Sequence, residues 1–118
     1  MNRPTHFELT AEDPEKLAGF YSQVFGWQIS KWEGPVDYWL VSTGNDADKG
    51  INGAIMGRNN VQQPVVNTIE VSSLDETFAT VTSNGGNKVT EPMEIPGVGT
   101  FAYCVDPGGT LFGILQPA

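Results

Sequence analysis

The chain is poor in several residue types that would otherwise dominate its chemistry. Among its 118 residues there is one cysteine, one histidine and only six lysines and arginines. The lone Cys104 permits neither an internal disulfide nor a paired-cysteine metal site. Fourteen acids against six bases leave a formal charge of −8. That argues against a nucleic-acid partner, because neutralising phosphates needs clustered Lys and Arg. No apolar run approaches the roughly 20 residues of a membrane span, so no membrane partner is expected. The segment Met1-Asn2-Arg3-Pro4-Thr5-His6 lacks the apolar stretch of a signal peptide, which makes a cytoplasmic protein the expectation. Low-complexity sequence is missing too.

What is present suits one soluble globular domain over residues 1–118. Apolar residues make up 39% and charged residues 17%, and the length suffices to bury a core without disulfides or metals. Thr5–Thr10 alternates as a strand, with Phe7 and Leu9 on one side and His6, Glu8 and Thr10 on the other. Asp13 caps a helix with Pro14 at its first position, Leu17, Phe20, Tyr21 and Val24 form its apolar stripe, and Gly26 stops it. Trp27–Lys31, Tyr38–Ser42 and Ile51–Met56 read as strands, separated by loops with Gly34-Pro35 and Gly44-Asn45-Asp46.

After a polar link at Gly57–Pro64 the order returns. Val65–Val71 is a predicted strand, Leu74–Ser83 a helix and Asn84-Gly85-Gly86 its stop. Lys88–Glu91, Thr100–Val105 and Leu111–Gln116 are strands, the last two joined by Asp106-Pro107-Gly108-Gly109. An offset of 60 residues carries Gly26 onto Gly86 and Gly53 onto Gly113. The predicted class is therefore α+β, built from two tandem β-α-β-β-β units at about 1–57 and 64–118.

Three local patterns imitate known motifs without their context. Gly97-Val98-Gly99-Thr100-Phe101-Ala102 resembles a dinucleotide fingerprint but opens a strand instead of a helix. Asp46-Ala47-Asp48-Lys49-Gly50 resembles a calcium loop, yet Gly57 falls where the bidentate Glu is needed. Asp75-Glu76 simply suits a helix N-terminus. Cys104, in the apolar run Phe101–Val105, reads as a buried inert thiol.

His6 before Asp13-Pro14, Phe20-Tyr21 and Phe25-Gly26-Trp27 is similar to the first unit of the vicinal oxygen chelate superfamily. That family includes glyoxalase I, extradiol dioxygenases and bleomycin-resistance proteins. Asn84-Gly85-Gly86 and Asp106-Pro107-Gly108-Gly109 resemble its second unit. The resemblance covers essentially the whole chain. It implies that the strands of each unit curl into half of a concave cup, with the helices outside. It also implies a divalent metal held by side chains from the first and last strand of each unit.

Carried through the repeat, those ligand positions fall on His6, Gly53, Val66 and Gly113, of which only His6 offers a donor. No metal or other cofactor is therefore expected. Alternation places His6, Glu8, Thr10, Thr68 and Glu70 on the concave face. His6 beside Glu8 could serve as acid and base, the carboxylate stabilising the imidazolium. Thr10, Gly53, Val66, Thr68, Glu70, Gly113 and Tyr103 are candidate ligand contacts.

Trp27, Trp32, Tyr38, Trp39 and Tyr103 supply aromatic surface, with Tyr38 and Leu40 on one face and Trp39 and Val41 on the other. A glycine at a strand centre signals either close approach of a ligand or a bend, and both remain open for Gly53 and Gly113. The expected function is metal-free binding of a neutral or cationic small molecule. The alternative is a lyase or isomerase using His6 and Glu8, or a metal. A homodimer is expected, since each unit exposes sheet edges.

Overall fold

The computed structural model describes residues 1–58 and 62–118, which divide into two compact units. An N-terminal unit comprises His6–Val66, and a C-terminal unit comprises Asn67–Ala118 together with Met1–Thr5. The elements run β1 (Arg3–Ala11), α1 (Pro14–Phe25), β2 (Gln28–Lys31), β3 (Tyr38–Ser42), β4 (Asn52–Gly57), β5 (Val65–Glu70), α2 (Leu74–Ser83), β6 (Asn87–Lys88), β7 (Met93–Ile95), β8 (Gly99–Val105) and β9 (Leu111–Pro117).

The N-terminal unit orders its strands β2-β3-β4-β1, with β1 parallel to β4 and the other pairs antiparallel. Its helix begins where the sequence supplies a cap. The Asp13 carboxylate accepts from Lys16 N at 3.1 Å, and Pro14 occupies the first turn. It ends at Gly26, whose φ of +72° lets its N–H return to Ser22 O at 3.0 Å. One sheet face buries Val41 and Ile55 against Ala18, with Phe7, Leu9, Leu17, Trp27, Ile29 and Trp39 packed around them. Ile55 is fully buried, so truncating it to Ala costs about 2–5 kcal/mol. Trp27 stacks on Tyr21 at 4.8 Å, which gives it a structural task.

In the C-terminal unit the order is β5-β9-β8-β6, with β7 also pairing β8. The Ser73 hydroxyl caps α2 by accepting from Glu76 N at 3.2 Å. Val71, Leu74, Ala102, Cys104 and Ile114 form the core, flanked by Ile69, Phe78, Val81 and Phe112. Cys104 is buried there, and burial pushes its thiol pKa up, with Lys88 opposing. An inert thiol is what that environment produces.

Three sequence expectations need correction. The helix stop at Gly86 is displaced: Asn84 caps α2 and Gly85 takes the left-handed conformation, at φ +93°. Gly86 is instead a packing glycine, since a Cβ there would sit 2.7 Å from Val105 O and 2.8 Å from Val81 Cγ1. The strand expected at Lys88–Glu91 ends at Lys88. Val89 N and Thr90 N both donate to the single carbonyl of Tyr103, at 2.9 and 3.3 Å, and Pro92 has no N–H, so the ladder breaks. Pairing resumes with β7, so among the described residues the second half carries one short strand more than the first.

The third correction concerns facing. Gly53 lies opposite Phe7 and Val41, on the face packed by α1. Gly113 lies opposite Thr68 and Tyr103, whereas the next residue, Ile114, belongs to the α2-side core. The two glycines therefore occupy opposite faces of their sheets. The loop before β4 spans 43–51 and the loop before β9 spans 106–110, so a constant offset does not mean constant register. A slip of one residue reverses every side chain on a strand.

Candidate functional site

On β1, Phe7 and Leu9 enter the core beneath α1, which turns His6 and Glu8 to the helix-free face. On β3 the same alternation buries Trp39 and Val41 and brings Tyr38 to that helix-free face. Between β3 and β1 runs β4, where the residue opposite Glu8 is Ala54, a single methyl that leaves room for a long side chain above it. The Tyr38 hydroxyl donates to Glu8 Oε2 at 2.9 Å, and His6 Nε2 lies 3.2 Å from the same hydroxyl oxygen.

This geometry assigns the protons. With the Tyr38 hydrogen directed at the carboxylate, its oxygen accepts from Nε2–H of His6, and Nδ1 carries the free lone pair. Glu8 is 5% exposed, and such a buried carboxylate requires hydrogen bonds. Burial lowers the His6 pKa below its ordinary 6.5, and the Glu8 charge partly opposes that. His6 is therefore a neutral imidazole at pH 7, held by one nitrogen and basic at the other. The loop after β2 braces Tyr38. Trp32 N donates to Tyr38 O at 2.7 Å, and the Trp32 ring lies edge-on to the phenol at 6.2 Å. Gly34 leaves the space that the Trp32 indole fills, and Lys31 and Asp37 pair at 3.2 Å across the hairpin.

The other candidate residues are scattered in role. Thr10 is buried, but its hydroxyl donates to Gln63 O at 2.9 Å and accepts from Arg58 Nε at 3.3 Å, which commits it to fastening the end of β1. Gly53 faces α1, so it does not line the helix-free face at all. Val66 is fully buried and offers no polar atom. In the C-terminal unit Thr68, Gly113 and Tyr103 share the face away from α2, and Glu70 lies on it opposite Leu115. The Tyr103 ring stands edge-to-face with Phe101 at 4.8 Å. Sequence reasoning left Tyr38, Asn52 and Phe101 out of the site. Alternation gave the facing of Tyr38, but nothing local announces that its hydroxyl reaches a strand two places away.

The metal set implied by the family resemblance does not fit these residues. The register partner of His6 on β4 is Asn52, whose Oδ1 accepts from Thr43 N at 2.9 Å. Val66 and Gly113 supply no donor. Among the described residues no group of three or more His, Cys, Asp or Glu is placed to hold an ion.

Residues 3–114 match the Glyoxalase/Bleomycin resistance protein/Dioxygenase superfamily. The chain belongs to this superfamily. Two mycobacterial relatives, from Mycobacterium bovis and Mycobacterium tuberculosis, are each named "Putative glyoxylase CFP32" and are 32% identical over 94% of the chain. The chain spans 42% of their length. Among solved structures, Mycobacterium tuberculosis methylmalonyl-CoA epimerase superposes with a TM-score of 0.73 at 16% identity, covering 98% of this chain and 87% of that one. Streptomyces coelicolor methylmalonyl-CoA epimerase in complex with 2-nitronate-propionyl-CoA gives 0.75 at 14%, covering 100% and 99%. At such identities the likeness is one of fold, and the α+β class of this superfamily member follows from it. Among the described residues no helix is long and apolar enough to cross a membrane.

Proposed function

We propose that this superfamily member binds a small neutral or cationic molecule on the helix-free face of its N-terminal unit, without a resident metal. The observation that supports the reading is the chain His6 Nε2–H, Tyr38 O–H, Glu8 carboxylate, with both hydrogen bonds at 3.2 Å or less. Three partly desolvated polar groups with fixed donor directions recognise shape and polarity at once. A ligand meets them at His6 Nδ1, which accepts a hydrogen bond from an N–H or O–H. A net charge of −8 and the Glu8 carboxylate disfavour anions there.

Thermal-shift screening tests this. Neutral and cationic compounds should stabilise the protein more often than phosphorylated ones, CoA thioesters included, and His6→Ala or Tyr38→Phe should remove the effect. Consistent stabilisation by CoA thioesters would overturn the charge argument. One equivalent of zinc, nickel, iron or manganese per chain, lost with His6→Ala, would overturn the metal-free one.

A second reading, lyase or isomerase, draws on the same chain. A neutral Nδ1 can take a proton from a carbon acid, and the imidazolium formed is stabilised by Glu8 through Tyr38. Deuterium uptake from D2O into a bound carbon acid, abolished by His6→Ala, separates catalysis from binding alone.

A further inference from the structure

Two Asn-Gly pairs stand in the chain, Asn52-Gly53 and Asn84-Gly85. An asparagine followed by glycine carries a latent reaction. The next backbone nitrogen can attack the side-chain amide carbon, and glycine has no side chain to hinder the approach. A strand inside a sheet forbids the necessary rotation, whereas an exposed turn at a helix end allows it. The fold puts the two pairs in opposite situations.

Asn52 and Gly53 lie in β4, where Gly53 is buried and paired with Phe7 on one side and Val41 on the other. The Asn52 carboxamide oxygen accepts from Thr43 N at 2.9 Å. Asn84 and Gly85 are both exposed, at the C-terminal end of α2. Gly85 stands at φ +93°, and its N–H reaches Thr82 O only at 3.3 Å, a long bond. Asn84 Nδ2 donates to Thr80 O at 2.8 Å. These bonds belong to the last turn of a helix, the part that frays first. The next residue, Gly86, is buried, and a Cβ there would sit 2.7 Å from Val105 O. A pair free to rotate is thus joined directly to a residue with no room to shift.

We propose that Asn84-Gly85 is a site of spontaneous covalent modification, which converts Asn84 to aspartate or isoaspartate and loosens the end of α2. The Gly85 backbone N–H gives its proton to hydroxide, and the nitrogen adds to Asn84 Cγ. The bond from Cγ to Nδ2 breaks, and that nitrogen leaves as ammonia after taking a proton from water. The five-membered imide so formed adds water at either carbonyl. One opening gives aspartate. The other gives isoaspartate, whose main chain runs through the former side chain and is longer by one carbon. Both products lose the donor to Thr80 O and place a negative charge at the negative end of α2, whose last turn holds no basic residue. Isoaspartate also drives Gly86 towards Val105 O and Val81 Cγ1, where no space remains. The reaction involves no ligand, so its outcome does not bear on the proposed function.

Peptide mass spectrometry on the folded protein, aged in mildly alkaline buffer, tests the site. Trypsin cuts after Lys49, Arg58 and Lys88, so Asn52 and Asn84 fall on separate peptides, 50–58 and 59–88. Fragment-ion sequencing then assigns the mass gain of amide-to-acid conversion to its residue. In the folded protein Asn84 should convert roughly tenfold faster than Asn52 or more, because only Asn52 needs its sheet opened first. In concentrated urea the two rates should converge, since neither pair is then held. Asn84→Asp imitates one product and should lower the melting temperature by roughly 2–5 °C. Equal conversion of the two residues in the folded protein, or faster conversion of Asn52, would overturn the assignment. An Asn84→Asp protein that melts at or above the wild-type temperature would overturn the loosening of α2.

Discussion

The two units share an order of elements but treat their polar strand residues in opposite ways. In the N-terminal unit His6 and Glu8 are tied together by the Tyr38 hydroxyl, at 3.2 and 2.9 Å. In the C-terminal unit Thr68 Oγ1 lies buried with no partner among the described residues, and the aromatic pair on β8 is Phe101 against Tyr103. Their strand-centre glycines differ likewise. Gly53 is pressed under Phe7 on the core side, while Gly113 opens towards Thr68 on the other. A repeated backbone therefore does not repeat its chemistry. One unit carries a completed hydrogen-bond chain, and the other a hydroxyl whose partner the fold leaves out.

The glycine pair should show the largest contrast. A Cβ at residue 53 would run into the Phe7 carbonyl and come within 2.6 Å of its ring, where backbone cannot yield. Gly53→Ala should cost about 3 kcal/mol in denaturant unfolding. At residue 113 the obstacle is the edge of a half-buried Phe101 ring, so Gly113→Ala should cost about 1 kcal/mol. Equal losses would mean that the two positions are not the opposites described.

Next in size is the hydrogen-bond chain itself. Tyr38→Phe keeps the ring and deletes the hydroxyl that Glu8 and His6 share, at an expected cost of about 2 kcal/mol for a bond to a buried carboxylate. Set beside Thr68→Val, which removes a hydroxyl and should stabilise, it gives the comparison opposite signs. Two losses of similar size, measured by equilibrium unfolding, would erase the distinction between a satisfied and an unsatisfied hydroxyl.

The smallest effect is the dependence on pH. The His6 pKa is lowered in the folded protein, first by burial, with Glu8 opposing. Above 6.5 the ring is neutral folded and unfolded, so titration adds nothing. As pH falls below 6.5 the unfolded chain takes the proton first, and stability declines towards the folded pKa. The stability margin of wild type over His6→Asn should be level above about pH 7 and shrink below 6.5. A margin that widens on acidification would show that Glu8 outweighs burial at His6.

Local patterns carried much of this protein. The helix from Pro14 with its Asp13 cap, the helix Leu74–Ser83 and the strand Tyr38–Ser42 appear in the structure where alternation and capping rules place them. The facing of His6, Glu8 and Tyr38 was legible for the same reason. Gly86 was misread because two adjacent glycines at a helix end look alike, and only the nearness of the Val105 carbonyl separates a cap from a packing contact.

What the sequence determined by itself was of short range: the strand–helix–strand start of each half, the Asp13 cap and Gly26 stop of α1, and the alternation that sends Phe7 one way and His6 the other. These depend on bonds between residues a few places apart. Tertiary structure alone decided which strand residues meet. The chain from His6 to Glu8 through Tyr38 spans 32 and 30 residues of sequence, and it exists because β4 presents only Ala54 between them. The glycines at 53 and 113 were matched by their offset, yet register put them on opposite faces. A strand's partner is fixed by pairing across the sheet, where a shift of one residue costs little locally and reverses the whole face.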